Sequence, residues 1–292
     1  MRSYDTKNWF SVLTFYRHDT ARTLWPVILF TGIYTFGVVY FIDNSEALKE
    51  SNVIKNIFVI HSLLGFVISM LLVFRTNTAY DRWWEGRKLW GSLVNSSRNL
   101  AIRLHSILDK DDQTNRQYFT TFISLFPRAL DQHLKSKALQ LSLDENEHPE
   151  LAKLDPEKHL PFQISAMIQS KIYSLHRENK IGEAPLITLS NEMASFMDIC
   201  GACERIKNTP IPYSYASFIK KFIILYILSL PWGLNHILSY WSIAVVIFVM
   251  YALSSLEVIA EEIEEPFGED ANDLPTGKIA DNIGKNVREI LM

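Results

Sequence analysis

Cysteine is nearly absent. The 292 residues include two, Cys200 and Cys203, in a single Cys-Gly-Ala-Cys. Two thiols cannot build the disulfide framework of a small secreted domain. A zinc site resting on Cys-x-x-Cys needs two further ligands, and no second such pair and no His-x-x-x-His lies nearby. The pair is expected to be two small, buried helix residues. An excess of charge is also lacking: 29 Lys and Arg against 32 Asp and Glu leave a net charge of −3. With no basic patch interleaved with aromatics, nucleic acid is excluded as an expected partner. The signatures HExxH, GxSxG, the P-loop and GxGxxG are missing, and His105, His133, His148, His159 and His176 are scattered. No enzyme constellation emerges, and neither a cofactor nor a metal is expected. No run alternates long enough to make a strand. Residues 1–23 carry basic side chains but no continuous apolar core, so no signal peptide is expected.

What is present is apolar surface in blocks. The chain is 48% hydrophobic, with 17 Phe, 12 Tyr and 7 Trp, yet its mean hydropathy is only +0.04. The organising block is residues 57–74, which hold no Asp, Glu, Lys or Arg. A spanning helix needs ~17–25 such residues. The apolar run stops at Arg75, but residues 76–108 contain no Pro and only two Gly. One long helix is expected to leave the membrane at Arg75 and continue into water. Within it Phe58, Ser62, Phe66, Ser69 and Val73 recur at three- and four-residue spacing and share a face. Rings mixed with hydroxyls suit a narrow, partly wet passage. Ser62, Gly65 and Ser69 are equally the small residues that allow close helix contact in a membrane.

The remaining blocks set the order of the chain. Residues 1–24 read as an interfacial segment and residues 25–42 as the first span, with Pro26 at its start. A short, slightly acidic connection follows. Basic residues flank the first two spans, from Arg2 to Arg22 before and from Arg75 to Arg103 after, which places both flanks in the cytoplasm. Membrane helices 1 and 2 thus occupy residues 25–74, and residues 75–212 form a large helical cytosolic region. There residues 117–141 are amphipathic, with Phe119, Phe122, Ile123 and Phe126 on one side and Pro127 expected to kink or split the helix. A polar loop over 144–161, a helix over 162–177, a break over 179–185 and a helix over 186–206 follow. Membrane helices 3 and 4 fill residues 213–256, divided by Pro231-Trp232-Gly233, and an even number of crossings returns the C-terminus to the cytoplasm. Residues 257–292 are an acidic helix end, closed by Pro266, and a polar tail that docks on something.

The run from Phe74 to Arg87, FRTNTAYDRWWEGR, resembles a signature of bacterial members of the bestrophin family. Leu64-Gly65-Phe66, Asn191-Glu192-Met193, Cys200-Gly201, Ile211-Pro212 and IAEEIEEPFGED, ending at Asp270, resemble further landmarks of that family, in order. The resemblance implies an all-α, multi-span membrane protein with a large helical cytosolic region, assembled as a homopentamer around one axial pore. It implies a bacterial inner-membrane channel with both termini cytoplasmic, passing monovalent ions passively, its partners being copies of itself, lipid and the permeant ions. Phe58, Ser62 and Phe66 fall on the three rings of the neck. Ser62 departs from the apolar residue the family carries there. The second constriction, the cytosolic aperture, falls on Leu186 or Ile181. Glu269, Asp270, Asn272 and Asp273 occupy the calcium clasp, where the acidic run is interrupted: Ala271 removes one oxygen ligand and Asn272 neutralises another. Calcium gating is therefore not expected. The bacterial relatives conduct monovalent cations and the animal ones chloride, so kinship leans to cations. An anion channel of the same architecture and a non-conducting membrane scaffold are the alternatives. A transporter would carry internal repeats and intramembrane ionisable residues.

Overall fold

The computed structural model describes residues 20–49, 52–136, 154–155 and 157–292, the side chains of residues 52–55 and 58 excepted. The interfacial segment up to residue 19 and the greater part of the expected polar loop lie outside the described residues, as does the stretch 137–141. Within them the elements are α1 (Thr20–Asp43), α2 (Glu46–Lys49), α3 (Asn52–Ile107), α4 (Gln113–Leu134), α5 (Leu160–Arg177), α6 (Glu183–Asn208), α7 (Tyr213–Leu238), α8 (Trp241–Glu264) and α9 (Thr276–Leu291), with no strand among them. The protein is an all-helical membrane protein. Its contacts divide it into two units, with changes of unit at Arg82/Trp83, Thr209/Pro210 and Glu264/Glu265.

The expected long helix is α3, 56 residues. At 1.5 Å per residue it is ~84 Å long, against a hydrocarbon core of ~30 Å. It must therefore leave the bilayer. α1, α3, α7 and α8 each carry a window apolar enough to cross a membrane.

In the membrane unit, α1 packs on α7 and α8, and α7 on α8. Ile68 and Leu72 of α3 bury against Ile219, Ile223, Ile227, Leu230, Val246 and Met250. The expected break at Pro231-Trp232-Gly233 is absent. α7 runs through it to Leu238, and the turn comes at Ser239, with φ 46°. The side chains supply two reasons. Beside Pro231 the Tyr34 hydroxyl donates to the Leu228 carbonyl at 2.9 Å, and Trp232 Nε1 donates to that hydroxyl at 3.1 Å. Gly233 serves packing instead of a break: a Cβ there would meet Ile57 Cγ2 at 2.8 Å and His61 Nδ1 at 3.2 Å. The actual turn is tied to the end of α1, because Asp43 accepts from Asn235 Nδ2 and Ser239 Oγ, both at 3.3 Å.

In the distal unit, α4 is not split by Pro127. A proline inside a helix costs ~3 kcal/mol. Here the face Phe119, Phe122, Ile123, Phe126 and Leu130 is fully buried, against α5, α6 and α9, and each such side chain contributes ~1.5–3 kcal/mol. Packing outweighs the missing bond. The tail does dock, as a helix: α9 buries Thr276, Ala280, Ile283, Val287 and Leu291 and lies on α4. Buried Arg116 closes the helix ends. Its guanidinium donates to the carbonyls of Leu108 (2.7 Å), Asp109 (2.9 Å) and Leu291 (3.0 Å). Cations satisfy the orphan carbonyls and dipole of a helix C-terminus in this way.

Candidate functional site

α3 divides into three sides through the membrane unit. His61, Ile68, Leu72, Arg75 and Ala79 are buried. Val59, Leu63, Val67, Met70 and Phe74 are exposed and wholly apolar. Ser62, Phe66, Ser69 and Val73 form a second exposed strip. At 100° per residue, this mixed strip is centred roughly 90° round the helix from the apolar one. Phe66 is 69% exposed, so the strip is not sealed within the chain. The backbone of Phe58 continues the strip, while its side chain lies outside the described residues. Ser69 Oγ donates to the Gly65 carbonyl at 2.8 Å. That bond satisfies its hydrogen within the helix and leaves oxygen lone pairs facing outward.

The neighbouring residues hold α3 in this rotation. A Cβ on Gly65 would meet the Tyr226 hydroxyl at 2.8 Å, so α7 approaches the backbone at the glycine of Leu64-Gly65-Phe66. His61 is packed and hydrogen-bonded, with Nδ1 2.9 Å from the Ile57 carbonyl and Nε2 2.8 Å from Ser229 Oγ. A carbonyl only accepts, so Nδ1 carries the proton and Nε2 faces the hydroxyl.

The two segments that carry the family signature meet in space. Arg75, 1% exposed, lies 3.5 Å from Glu257 Oε1 and 2.7 Å from Glu264 Oε2. Arg82 Nε donates to the Glu264 carbonyl at 3.0 Å, and Glu264 Oε1 accepts from the Ile211 N–H at 2.6 Å. In the distal unit, Trp83 Nε1 donates to the Asn272 carbonyl at 3.0 Å, and a Cβ on Gly86 would meet Phe267 Cζ at 3.1 Å. Glu85 pairs with Arg205 at 2.7 Å. Several of these charged and aromatic residues thus join helices to their neighbours. Spacing revealed the segments; it could not reveal that they are partners.

The clasp region is a tight knuckle. Asp273 is 2% exposed, its Oδ2 accepts from the Asp270 N–H at 2.6 Å, and its Oδ1 has no hydrogen-bond partner among the described residues. Burial pushes its carboxyl up to about 6, against a hydrogen bond from Asp270 that lowers it. Glu269, Asp270 and Asn272 are exposed. Of the aperture candidates, Ile181 is 2% exposed, inside the hydrophobic core. Leu186, in the first turn of α6, is half-buried, and beside it Ile187 is 62% exposed; spacing to Asn191 gave no reason to single out Ile187. Cys200 and Cys203 are buried, and burial first, then the charge of Glu204, pushes each thiol up to about 12. They are poor nucleophiles at neutral pH.

Comparison with known proteins settles the family. The family described as Bacterial/Fungal Bestrophin protein matches residues 1–289. This chain is a bestrophin. Curated relatives include voltage-dependent anion channel-forming proteins of Nostoc sp., 33% identical over 230 residues (77% of this chain and 75% of that one), and of Synechocystis sp., 34% identical over 234 residues (78% and 75%). Among solved structures, a bacterial bestrophin homologue from Klebsiella pneumoniae superposes with a TM-score of 0.79 at 26% identity, over 90% of this chain and 97% of that one. The bestrophin fold expected from the motifs is thereby established, and the chain belongs to a family of membrane ion channels.

Proposed function

We propose that this bestrophin is a homopentameric channel in the bacterial inner membrane, with both termini cytoplasmic, through which monovalent ions pass passively. The observation that carries the reading is the exposed strip of Ser62, Phe66, Ser69 and Val73, distinct from the apolar strip beside it. A lipid-facing helix needs one kind of exposed surface; α3 has two. Five copies of α3 turning the mixed strip to a common axis make a neck from Phe58, Ser62 and Phe66, its rings ~6 Å apart along the axis. Phenyl rings narrow the bore and oppose wetting. The hydroxyl at Ser62, where the family carries an apolar residue, gives water a foothold between them. Leu186, with Ile187, is the cytosolic aperture. Calcium gating is not part of the proposal, because Ala271 and Asn272 interrupt the acidic run and Asp273 is engaged by its own loop.

For the sign of the ion, the relatives' names weigh toward anions and against the cation lean of the motif resemblance. The strip carries no fixed charge of either sign, and an anion channel is the favoured reading. Purified protein in planar bilayers under asymmetric NaCl tests both points. Reversal toward the chloride potential is expected. Phe66→Ala is expected to alter conductance or reversal potential; an unchanged current removes Phe66 from the conduction path, and reversal toward the sodium potential overturns the anion reading.

A further inference from the structure

The distal unit brings together three side chains that no step of conduction uses. His133 lies in the last turn of α4, His159 is the N-cap of α5, and Glu204 is in α6. Nε2 of His133 is 2.8 Å and Nε2 of His159 2.5 Å from one atom, Glu204 Oε1. The three ligating atoms all lie within 4.8 Å of one another. The two imidazole centroids are 4.2 Å apart, and the His159 ring is stacked on Phe162 at 3.5 Å. Side-chain exposures of 35%, 25% and 22% for His133, His159 and Glu204 leave an ion a way in.

We propose that His133, His159 and Glu204 form a binding site for a divalent transition-metal ion of the zinc class, which staples α4, α5 and α6 together. Two imidazoles and a carboxylate are a mixed nitrogen–oxygen set of the kind zinc takes, whereas calcium and magnesium favour oxygen alone. Zinc–ligand bonds of ~2.0–2.2 Å place tetrahedral ligand atoms ~3.3 Å apart. Each imidazole therefore retreats from Glu204 by less than ~1 Å to admit the ion. Three protein ligands leave a fourth position for water.

His159 attaches a consequence to binding. Its Nδ1 accepts from the Phe162 N–H at 3.3 Å. A metal on Nε2 of a neutral ring moves the ring proton to Nδ1, so that cap bond is given up. The staple and the cap of α5 therefore compete. His133 caps no helix start and can re-tautomerise without that loss. Lys207 is anchored beside the site, bonded to the His133 carbonyl at 3.1 Å and to Ser136 Oγ at 2.7 Å, and its charge tempers the affinity. The simpler arrangement is a hydrogen-bonded triad alone, with Glu204 accepting from both rings.

The site does not depend on the channel reading, and its test uses no current. Full-length protein in detergent, stripped with a chelator, is titrated with Zn²⁺ by calorimetry, with Mg²⁺ and Ca²⁺ as controls. Expected are one Zn²⁺ per chain, a rise in Tm that Mg²⁺ and Ca²⁺ do not reproduce, and Co²⁺ visible bands of a four- or five-coordinate ion. Glu204→Gln, which still accepts from both rings, and His133→Gln are each expected to weaken Zn²⁺ binding about tenfold or more. Should His159→Gln fail to fold through loss of its cap, those two variants carry the test. Absence of Zn²⁺ binding to folded wild-type protein means a hydrogen-bonded triad only and overturns the proposal. So does unchanged binding in both variants, or binding lost in His148→Gln or His236→Gln instead.

Discussion

The two ends of α3 are one helix in two surroundings. In the distal unit its buried residues are Trp90, Leu93, Ser97, Leu100, Ala101 and Leu104, an ordinary amphipathic stripe with Arg87, Lys88, Arg98 and Arg103 on the outer side. In the membrane unit the side packed on α7 and α8 and one of the two outward strips are both apolar: Ile68 and Leu72 are buried while Leu63, Val67 and Met70 are exposed. Burial next to water follows polarity, because exposing apolar surface there is costly. In a bilayer that cost vanishes, and side choice passes to small residues and polar pairs. Gly65 under Tyr226, His61 on Ser229 and Arg75 on Glu257 and Glu264 make that choice.

The comparison breaks first at Arg75. Arg75→Ala strands Glu257 and Glu264, and losing one partner of a buried pair costs about 3–5 kcal/mol. A large fall in Tm, or failure to assemble in detergent, is expected; wild-type behaviour in a thermal unfolding scan shows that packing alone orients α3. The contrast between the two ends is sharpened by a matched pair. Leu93→Ala in the distal unit is expected to destabilise by about 2–5 kcal/mol, whereas exposed Leu63→Ala is expected to change stability by less than about 1 kcal/mol. Equal effects in denaturant titrations mean that Leu63 is buried in the assembly.

A further effect, confined to one pH range, is expected at Asp273. Its carboxyl stands at about 6 when folded, against an ordinary 3.8. Folding therefore favours the protonated form: the stabilising contribution is full below about pH 4 and is lost as pH rises through about 6. Asp273→Asn removes that loss, and a gain on the order of 1–3 kcal/mol is expected at pH 7–8, with none at pH 4. Tm profiles of the two proteins that run parallel from pH 4 to 8 would show that the buried carboxylate is not strained.

Much of the architecture was legible from one dimension. Residues 57–108 announce a long helix because no acid or base interrupts the first part and no proline the second. Phe119, Phe122, Ile123 and Phe126 announce a buried face by their spacing. Pro127 and Pro231 do not divide their helices, and Pro26, expected at a helix start, lies inside α1, since the local cost of ~3 kcal/mol is less than the packing that a continuous helix secures. The shared face of Ser62, Phe66, Ser69 and Val73 was visible in the sequence, whereas the surroundings of Leu186 and Ile181 were not, because one residue of rotation separates an exposed side chain from a buried one.

The sequence by itself determined which segments are helical, which are apolar enough to enter a membrane, and which family the chain resembles, since hydrophobicity, helical period and motif order are properties of neighbours along the chain. The tertiary structure alone decided that Arg75 finds Glu257 and Glu264, that Asp273 is buried, and that His133, His159 and Glu204 converge. Ion pairs and ligand sets depend on distances through space of a few ångströms, and residues tens of positions apart carry no record of those distances in their order.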